Sequence, residues 1–149
     1  KLSPTLRNLK IKPDIIIFEG WCVGAKHQTN KALKKPINNL ESKEDSRLIW
    51  RKKVNNDLKN IYSNLFNLID KLIFLKVPNF KYVYKWRLLQ EKKLMLKYQG
   101  KKVMNKFQIK KFIMFYERIS KEMIKSVPNY SDIIILLDKK HRLQKMRFK

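Results

Sequence analysis

Two acidic residues stand where apolar runs end. Glu19 closes Ile15-Ile16-Ile17-Phe18 and is followed by Gly20 and Trp21; Asp138 closes Ile133-Ile134-Ile135-Leu136-Leu137. If both runs are strands of an open parallel sheet, the two carboxylates lie at its carboxyl ends, outside which such sheets bind ligands. Glu19 is the more informative: a carboxylate placed there can hold Mg²⁺ directly or through water. A solvated acid at a strand end is the alternative. Spacing excludes other chemistries. The three glycines, Gly20, Gly24 and Gly100, form neither G-x-G-x-x-G nor G-x-x-x-x-G-K-[ST], so these residues encode no dinucleotide turn and no phosphate-cradling loop of Walker type. Cys22, His27 and His141 are too few soft ligands for structural zinc, and a lone cysteine makes no internal disulfide.

The elements that must position these acids follow from periodicity. Asp14–Gly20 reads as a buried strand, a β-branched and aromatic run without alternation, bounded by Pro13 and Gly20. Residues 22–43, punctuated by Gly24, Pro36 and Asn38-Asn39, read as a long loop with little regular structure. From about Glu44 to Asp70, apolar residues at Trp50, Val54, Leu58, Ile61, Leu65, Leu68 and Leu72 trace one helical stripe, with Glu44 and Asp45 in its first turn. Lys71–Pro78 is a second strand. A strongly basic helix over 80–99 carries Tyr82, Trp86, Leu89 and Leu94 and is broken by Gly100; a third helix runs from about Lys106 to Lys125, with Phe112, Tyr116, Ile119 and Met123 on one face. Asp132–Asp138 is the third buried strand. Three apolar strands separated by helices predict a single α/β domain with an open, mostly parallel sheet and right-handed crossovers.

The 149 residues suit one domain, and a hydrophobic share of 44% supports a packed core rather than a charged disordered tail. Cations outnumber acids by 36 to 12, giving a formal net charge of +24. Of these cations 29 are Lys and only 7 are Arg, whereas nucleic-acid surfaces lean on Arg for bidentate contacts. A coding-sequence bias toward Lys, Asn and Ile explains the balance as well as a dedicated surface does. Non-specific attraction to polyanions at low salt follows in either case. Aromatics among the lysines of residues 81–111 also suit single-stranded nucleic acid, but Tyr82, Trp86 and Leu89 share a helical face and are better placed as core. No apolar run approaches the ~20 residues that span a bilayer, and no signal-type segment opens the chain, so no membrane partner is expected. A single cysteine fits a reducing, cytoplasmic setting. Without an initiator Met, the chain is expected to be a processed product or a piece of something longer.

Four ordered blocks carry a resemblance. Pro13-Asp14-Ile15-Ile16-Ile17-Phe18-Glu19-Gly20-Trp21-Cys22-Val23-Gly24 resembles the P-D-h-h-h-F-E-G-W-x-x-G segment of the D-glycerate 3-kinase group, itself similar to the uridine kinase and pantothenate kinase branch of P-loop kinases. Phe74–Pro78 followed by Val83-Tyr84-Lys85-Trp86-Arg87-Leu88-Leu89-Gln90-Glu91 is similar to V-x-x-W-R-x-x-Q-E, and Phe112–Ile119 to F-h-x-x-Y-E-R-h. Tyr130–Leu143 is similar to a-D-h-h-h-x-L-D-x-x-H-r-h, without the leading alanine. The blocks run from Pro13 to Leu143 and correspond to the family's C-terminal half.

The resemblance implies a partial three-layer αβα P-loop fold whose phosphate-loop portion lies upstream of Lys1, so that residues 1–149 form the C-terminal part of one kinase domain, with a lid-like helical region at about 80–126. It implies ATP and Mg²⁺ as cofactors and a small anionic hydroxy acid such as D-glycerate as acceptor. The intact protein would then be an ATP-dependent phosphotransferase acting on an alcohol group, and the 149 residues alone would be inactive. Glu19 takes the Walker-B position that holds the metal–nucleotide. Gly20 lets the backbone pass close to the site, and Trp21 walls the acceptor pocket or packs in the core. Arg87 clamps transferring phosphate or merely pairs with Glu91 one turn on. Tyr116 belongs to the apolar face, while Arg118 faces substrate or solvent. Asp138 and His141 border the nucleotide, though a lone histidine is more often structural; Cys22 is an inert neighbour. A nucleoside acceptor, and a non-catalytic basic module binding nucleic acid, are the alternative functions.

Overall fold

The computed structural model describes residues 12–97 and 103–149. Gly100, expected to break the basic helix, lies outside the described residues, as do residues 1–11.

Strands β1 (Ile73–Lys76), β2 (Ile133–Leu137) and β3 (Leu143–Phe148) form a mixed sheet in that order. β1 and β2 are parallel, with Ile73 opposite Ile133 and Lys76 opposite Leu136, while β3 returns antiparallel to β2. The expected parallel pair is present, and β3 is an addition to the expected set. β1 and β2 are joined through two long helices, α5 (Phe80–Lys97) and α6 (Lys106–Ser126), which pack on each other. Asn105 caps α6 with a reciprocal box: its side chain accepts from the Gln108 amide and the Gln108 side chain accepts from the Asn105 amide, each at 2.9 Å.

Ile15–Phe18 departs from expectation. The segment makes no ladder, and its side chains are 79%, 80%, 87% and 53% exposed. An apolar β-branched run records a preference for burial between neighbours, and among the described residues no strand stands beside it.

The polar stretch 22–43, read as irregular, contains two short helices. α1 (Asn30–Lys34) is capped by Thr29 and α2 (Asn39–Lys43) by Asn38, whose side chain accepts from the Glu41 amide. The long helical stripe starts later than expected and is interrupted. α3 (Ile49–Asp57) passes through a π turn at Leu58–Tyr62 into α4 (Ser63–Phe66). The extra residue of the π turn rotates the stripe, so Leu58 is buried while Ile61, Leu65 and Leu68 face outward. Glu44 and Asp45 precede α3 rather than fill its first turn, yet Asp45 still takes the amide hydrogens of Trp50 and Arg51.

Ala25, Leu58, Met123 and Val127 form the centre of the core, with Val54, Leu72, Phe74 and Ile119 packed around it. The chain enters this core at Gly24, whose φ is +79° and whose added Cβ would stand 3.1 Å from the Leu72 side chain. Only glycine meets both demands without strain. The Gly24 carbonyl accepts from the Tyr130 hydroxyl at 3.0 Å, pinning the turn to the start of β2. No described helix is long and apolar enough to cross a membrane.

Candidate active site

Glu19 ends the extended segment and is exposed; among the described residues its carboxylate has no hydrogen bond or ion pair. Gly20 then opens a turn in which its carbonyl accepts from the Val23 amide. The turn delivers Trp21 to α6. The indole stacks on Tyr116 at 4.8 Å and 14°, meets Phe112 edge-on at 6.4 Å, and donates Nε1–H to Ser120 Oγ at 2.8 Å. Phe112, Tyr116 and Ser120 are four residues apart and so line one face of α6. Trp21 is 40% exposed, so part of the residue is packed and part is open to solvent.

Arg87 reaches the same aromatic group from α5, its guanidinium 5.3 Å from the Phe112 ring centre. The internal pair left open by the sequence is formed: Arg87 donates to Glu91, and also to Gln90 Oε1 at 2.8 Å. Glu91 is buried, and its other oxygen accepts from the Met104 amide at 3.2 Å, tying α5 to the approach of α6. Arg87 thus pairs through two of its three guanidinium nitrogens; the third, Nε, is buried with no hydrogen-bond partner among the described residues. Trp21 and Arg87 thus meet at Phe112, while Glu19 and Gly20 are linked to them only as the chain neighbours of Trp21.

Arg118 lies elsewhere. Its guanidinium grips both oxygens of Glu41, at 2.7 and 2.6 Å, and donates to the carbonyls of Ala32 and Lys35 at 3.0 and 2.7 Å. All its nitrogens are engaged in fastening α1 and α2 to α6. Glu41 also meets Arg51, which pairs with Asp45 at 2.8 Å; all three are almost fully buried. Burial opposes ionisation of Glu41, but hydrogen bonds from Arg118 and Ile37 and the two guanidinium charges hold its carboxyl below the usual range. Asp45 is likewise depressed: against burial stand the amides of Trp50 and Arg51 and the Arg51 charge.

At the end of β2, Asp138 accepts the amides of Lys140 and Arg142 at 2.8 and 2.9 Å, and bonds from the Arg142 backbone lead the lowering of its pKa. This tight turn holds His141 at φ +66°, where its ring stacks on Trp86 at 4.2 Å. Trp86, read as core, therefore ties α5 to the turn after β2, while its neighbour Arg87 faces α6. Burial pushes the Cys22 thiol up to about 11, leaving it protonated and unreactive at neutral pH.

Sequence reasoning took Tyr116 for core alone and missed Phe112 and Ser120 as supports of Trp21. The signal was a serine standing two turns beyond Phe112 on an otherwise apolar stripe. Glu19 suits Mg²⁺, which needs only one or two carboxylates when substrate phosphates and water complete its shell. No group of three or more metal-ligating side chains is present among the described residues.

The α/β fold is P-loop kinase-like, as superposition on solved structures shows. D-glycerate 3-kinase from Cryptococcus neoformans var. grubii superimposes with a TM-score of 0.70 at 21% identity, over 95% of this chain and 52% of that one. The YGR205w protein superimposes with a TM-score of 0.62 at 21% identity, over 87% of this chain and 46% of that one. In sequence, 77 residues are 35% identical to an uncharacterized kinase, mug58, of Schizosaccharomyces pombe; they are 51% of this chain and 26% of that protein. No family model matches. The chain therefore has the fold of part of a D-glycerate 3-kinase-like kinase, and spans about half the length of the solved structures it resembles.

Proposed function

We propose that these residues are the C-terminal part of a single ATP-dependent small-molecule kinase domain, and that the Glu19–Trp21 turn and Arg87 form one side of its phosphoryl-transfer site. The reading is supported by the shared contact of Trp21 and Arg87 with Phe112, beside Glu19 in the chain, in a protein with this fold. The phosphate-binding loop is assigned to kinase residues outside these 149, because no Walker spacing occurs within them.

In this site Glu19 holds Mg²⁺, which when bound neutralises charge on the transferring phosphate. Gly20 allows the backbone to turn after Glu19, which would hold the metal, and Trp21, held by Ser120 and Tyr116, would wall the acceptor pocket and exclude water. The acceptor is the hydroxyl of a small anionic acid, D-glycerate being the leading candidate. Arg87 contributes the positive charge that transfer requires. α5 and α6, within the region 80–126, act as the lid side. The Asp138–His141 turn, stacked on Trp86, borders the nucleotide. Arg118 is assigned to architecture, since Glu41 and two carbonyls take its donors.

The test is ATP turnover by the intact protein against a panel of D-glycerate, other hydroxy acids, pantothenate and nucleosides. Mg²⁺-dependent phosphorylation of a hydroxy acid supports the reading, transfer to a nucleoside alone redirects it to the other acceptor class, and no turnover with any acceptor overturns it.

A further inference from the structure

Glu91 is 6% exposed, and its two carboxylate oxygens serve different elements. Oε1 accepts from Arg87 Nη2, one turn earlier in α5, and Oε2 accepts from the Met104 amide at 3.2 Å, on the approach to α6. A buried charge costs free energy unless it is paired and hydrogen-bonded. Well-packed apolar residues in place of a buried ion pair are often as stable or more so, so stability alone does not call for a carboxylate here. What the carboxylate adds is direction.

That direction bears on Arg87. Gln90 Oε1 takes a hydrogen from Nη1 at 2.8 Å, Glu91 takes one from Nη2, and the Phe112 ring centre lies 5.3 Å from the guanidinium carbon. Only the contact with Glu91 is an ion pair. A guanidinium carries five N–H hydrogens. Two are used in these bonds and the one on Nε is buried, which leaves one on each Nη without a protein acceptor among the described residues. Met104 leads into the capped start of α6, the helix whose Phe112, Tyr116 and Ser120 hold Trp21. One carboxylate therefore sets the aim of Arg87 on α5 and ties α5 to the helix that carries Trp21.

We propose that Glu91 is a positioning residue of the transfer site, which holds the Arg87 guanidinium over Phe112 so that its two remaining Nη hydrogens are presented to the transferring phosphate. This role rests on the reading of Arg87 as the phosphate-facing cation. The ion pair and the phosphate contact, opposed in the sequence, are then compatible, because they use different hydrogens of one guanidinium.

A double-mutant cycle on the intact protein, with ATP, Mg²⁺ and the acceptor it turns over best in the panel above, tests it. Glu91→Gln keeps the volume and an oxygen for Met104 but removes the charge that holds Arg87. It should lower kcat by about tenfold or more and leave both KM values within about twofold, as expected when an interaction made in the transition state is lost. In an Arg87→Ala background the same change should cost less than about twofold, because no guanidinium remains to be aimed. Nuclear Overhauser contacts between the Arg87 δ-hydrogens and the Phe112 ring should vanish in Glu91→Gln while those between Trp21 and Tyr116 persist. Equal losses in both backgrounds, or a Glu91→Gln protein with wild-type kcat and an intact Arg87–Phe112 contact, overturn the role of Glu91 and leave the kinase reading standing. A wild-type protein that turns over no acceptor overturns that reading and this role with it. If Glu91→Gln does not fold, Glu91→Asp, with the charge on a shorter arm, takes its place in the cycle, kcat again falling only where Arg87 is present.

Discussion

Arg51 and Glu19 carry single charges at opposite ends of the chemistry this molecule displays. Arg51 is 4% exposed, and its guanidinium meets Glu41, Asp45 and the Asp45 carbonyl, every contact supplied by its own chain. Glu19 is exposed at the end of an uncovered apolar segment, without a side-chain partner among the described residues. The first region is closed: charges are desolvated, paired and used to fasten α1, α2 and α3 to α6. The second is open: its apolar residues, its strand edge and its carboxylate lack complements among the described residues. A buried ion network adds little net stability over an apolar substitute, but it is intolerant of losing one member. An open carboxylate costs nothing to leave solvated and is free to take a metal. The contrast sorts the charged residues by their partners: Arg118 falls with Arg51 on the closed side, Glu19 on the open side, and Arg87, paired with Glu91 and Gln90, stands between them.

The largest expected effect lies in the open region. Glu19→Gln in the intact protein should lower phosphoryl turnover by about a hundredfold or more while leaving the urea midpoint unchanged. Turnover within a few-fold of wild type would erase the distinction drawn for Glu19. In the closed region Arg51→Met should cost about 3–5 kcal/mol in chemical denaturation, since it strands buried carboxylates; a change below 1 kcal/mol would show that the network is not desolvated as described. Gly24→Ala should cost at least about 1–2 kcal/mol from left-handed backbone alone, with the Leu72 contact adding to it, read by the same denaturation.

The pH dependence sharpens the comparison further. Glu41 and Asp45 have depressed folded pKa values, so the unfolded chain binds more protons than the folded one as pH falls. Their stabilisation is complete above the unfolded values near ~4 and is lost as pH drops through the lower folded values. Acid unfolding of Arg51→Met should begin at higher pH than that of wild type. Ser120→Ala is the smallest change: loss of the Trp21 hydrogen bond should cost about 1 kcal/mol and raise the acceptor KM more than the ATP KM. An equal rise in both would detach Trp21 from the acceptor.

Periodicity located the elements that pack on their own neighbours. β2 occurs over Ile133–Leu137, and α5 and α6 within a few residues of their expected ends, because each carries its pattern against a partner present in the chain. Ile15–Phe18 misled for the opposite reason: the pattern reports what the segment needs, and the strand that would meet the need is not among the described residues. β3 escaped notice because Leu143–Phe148 is exposed throughout and its alternation is diluted by Gln144, Lys145 and Arg147. Arg51, Glu41 and Asp45 read as ordinary surface charges; burial of an ion network leaves no mark on spacing. Glu19, Gly20, Trp21 and Arg87 were singled out by motif resemblance, whereas the Phe112–Ser120 support of Trp21 required knowing which face of α6 meets its turn.

The central claim is that the open end at Glu19 is where metal–nucleotide binds. Calorimetric titration of the intact protein with ATP, with and without Mg²⁺, in wild type and Glu19→Gln, tests it most directly. Mg²⁺ should strengthen binding in the wild type and lose that effect in the variant. An equal Mg²⁺ effect in both proteins would contradict the account.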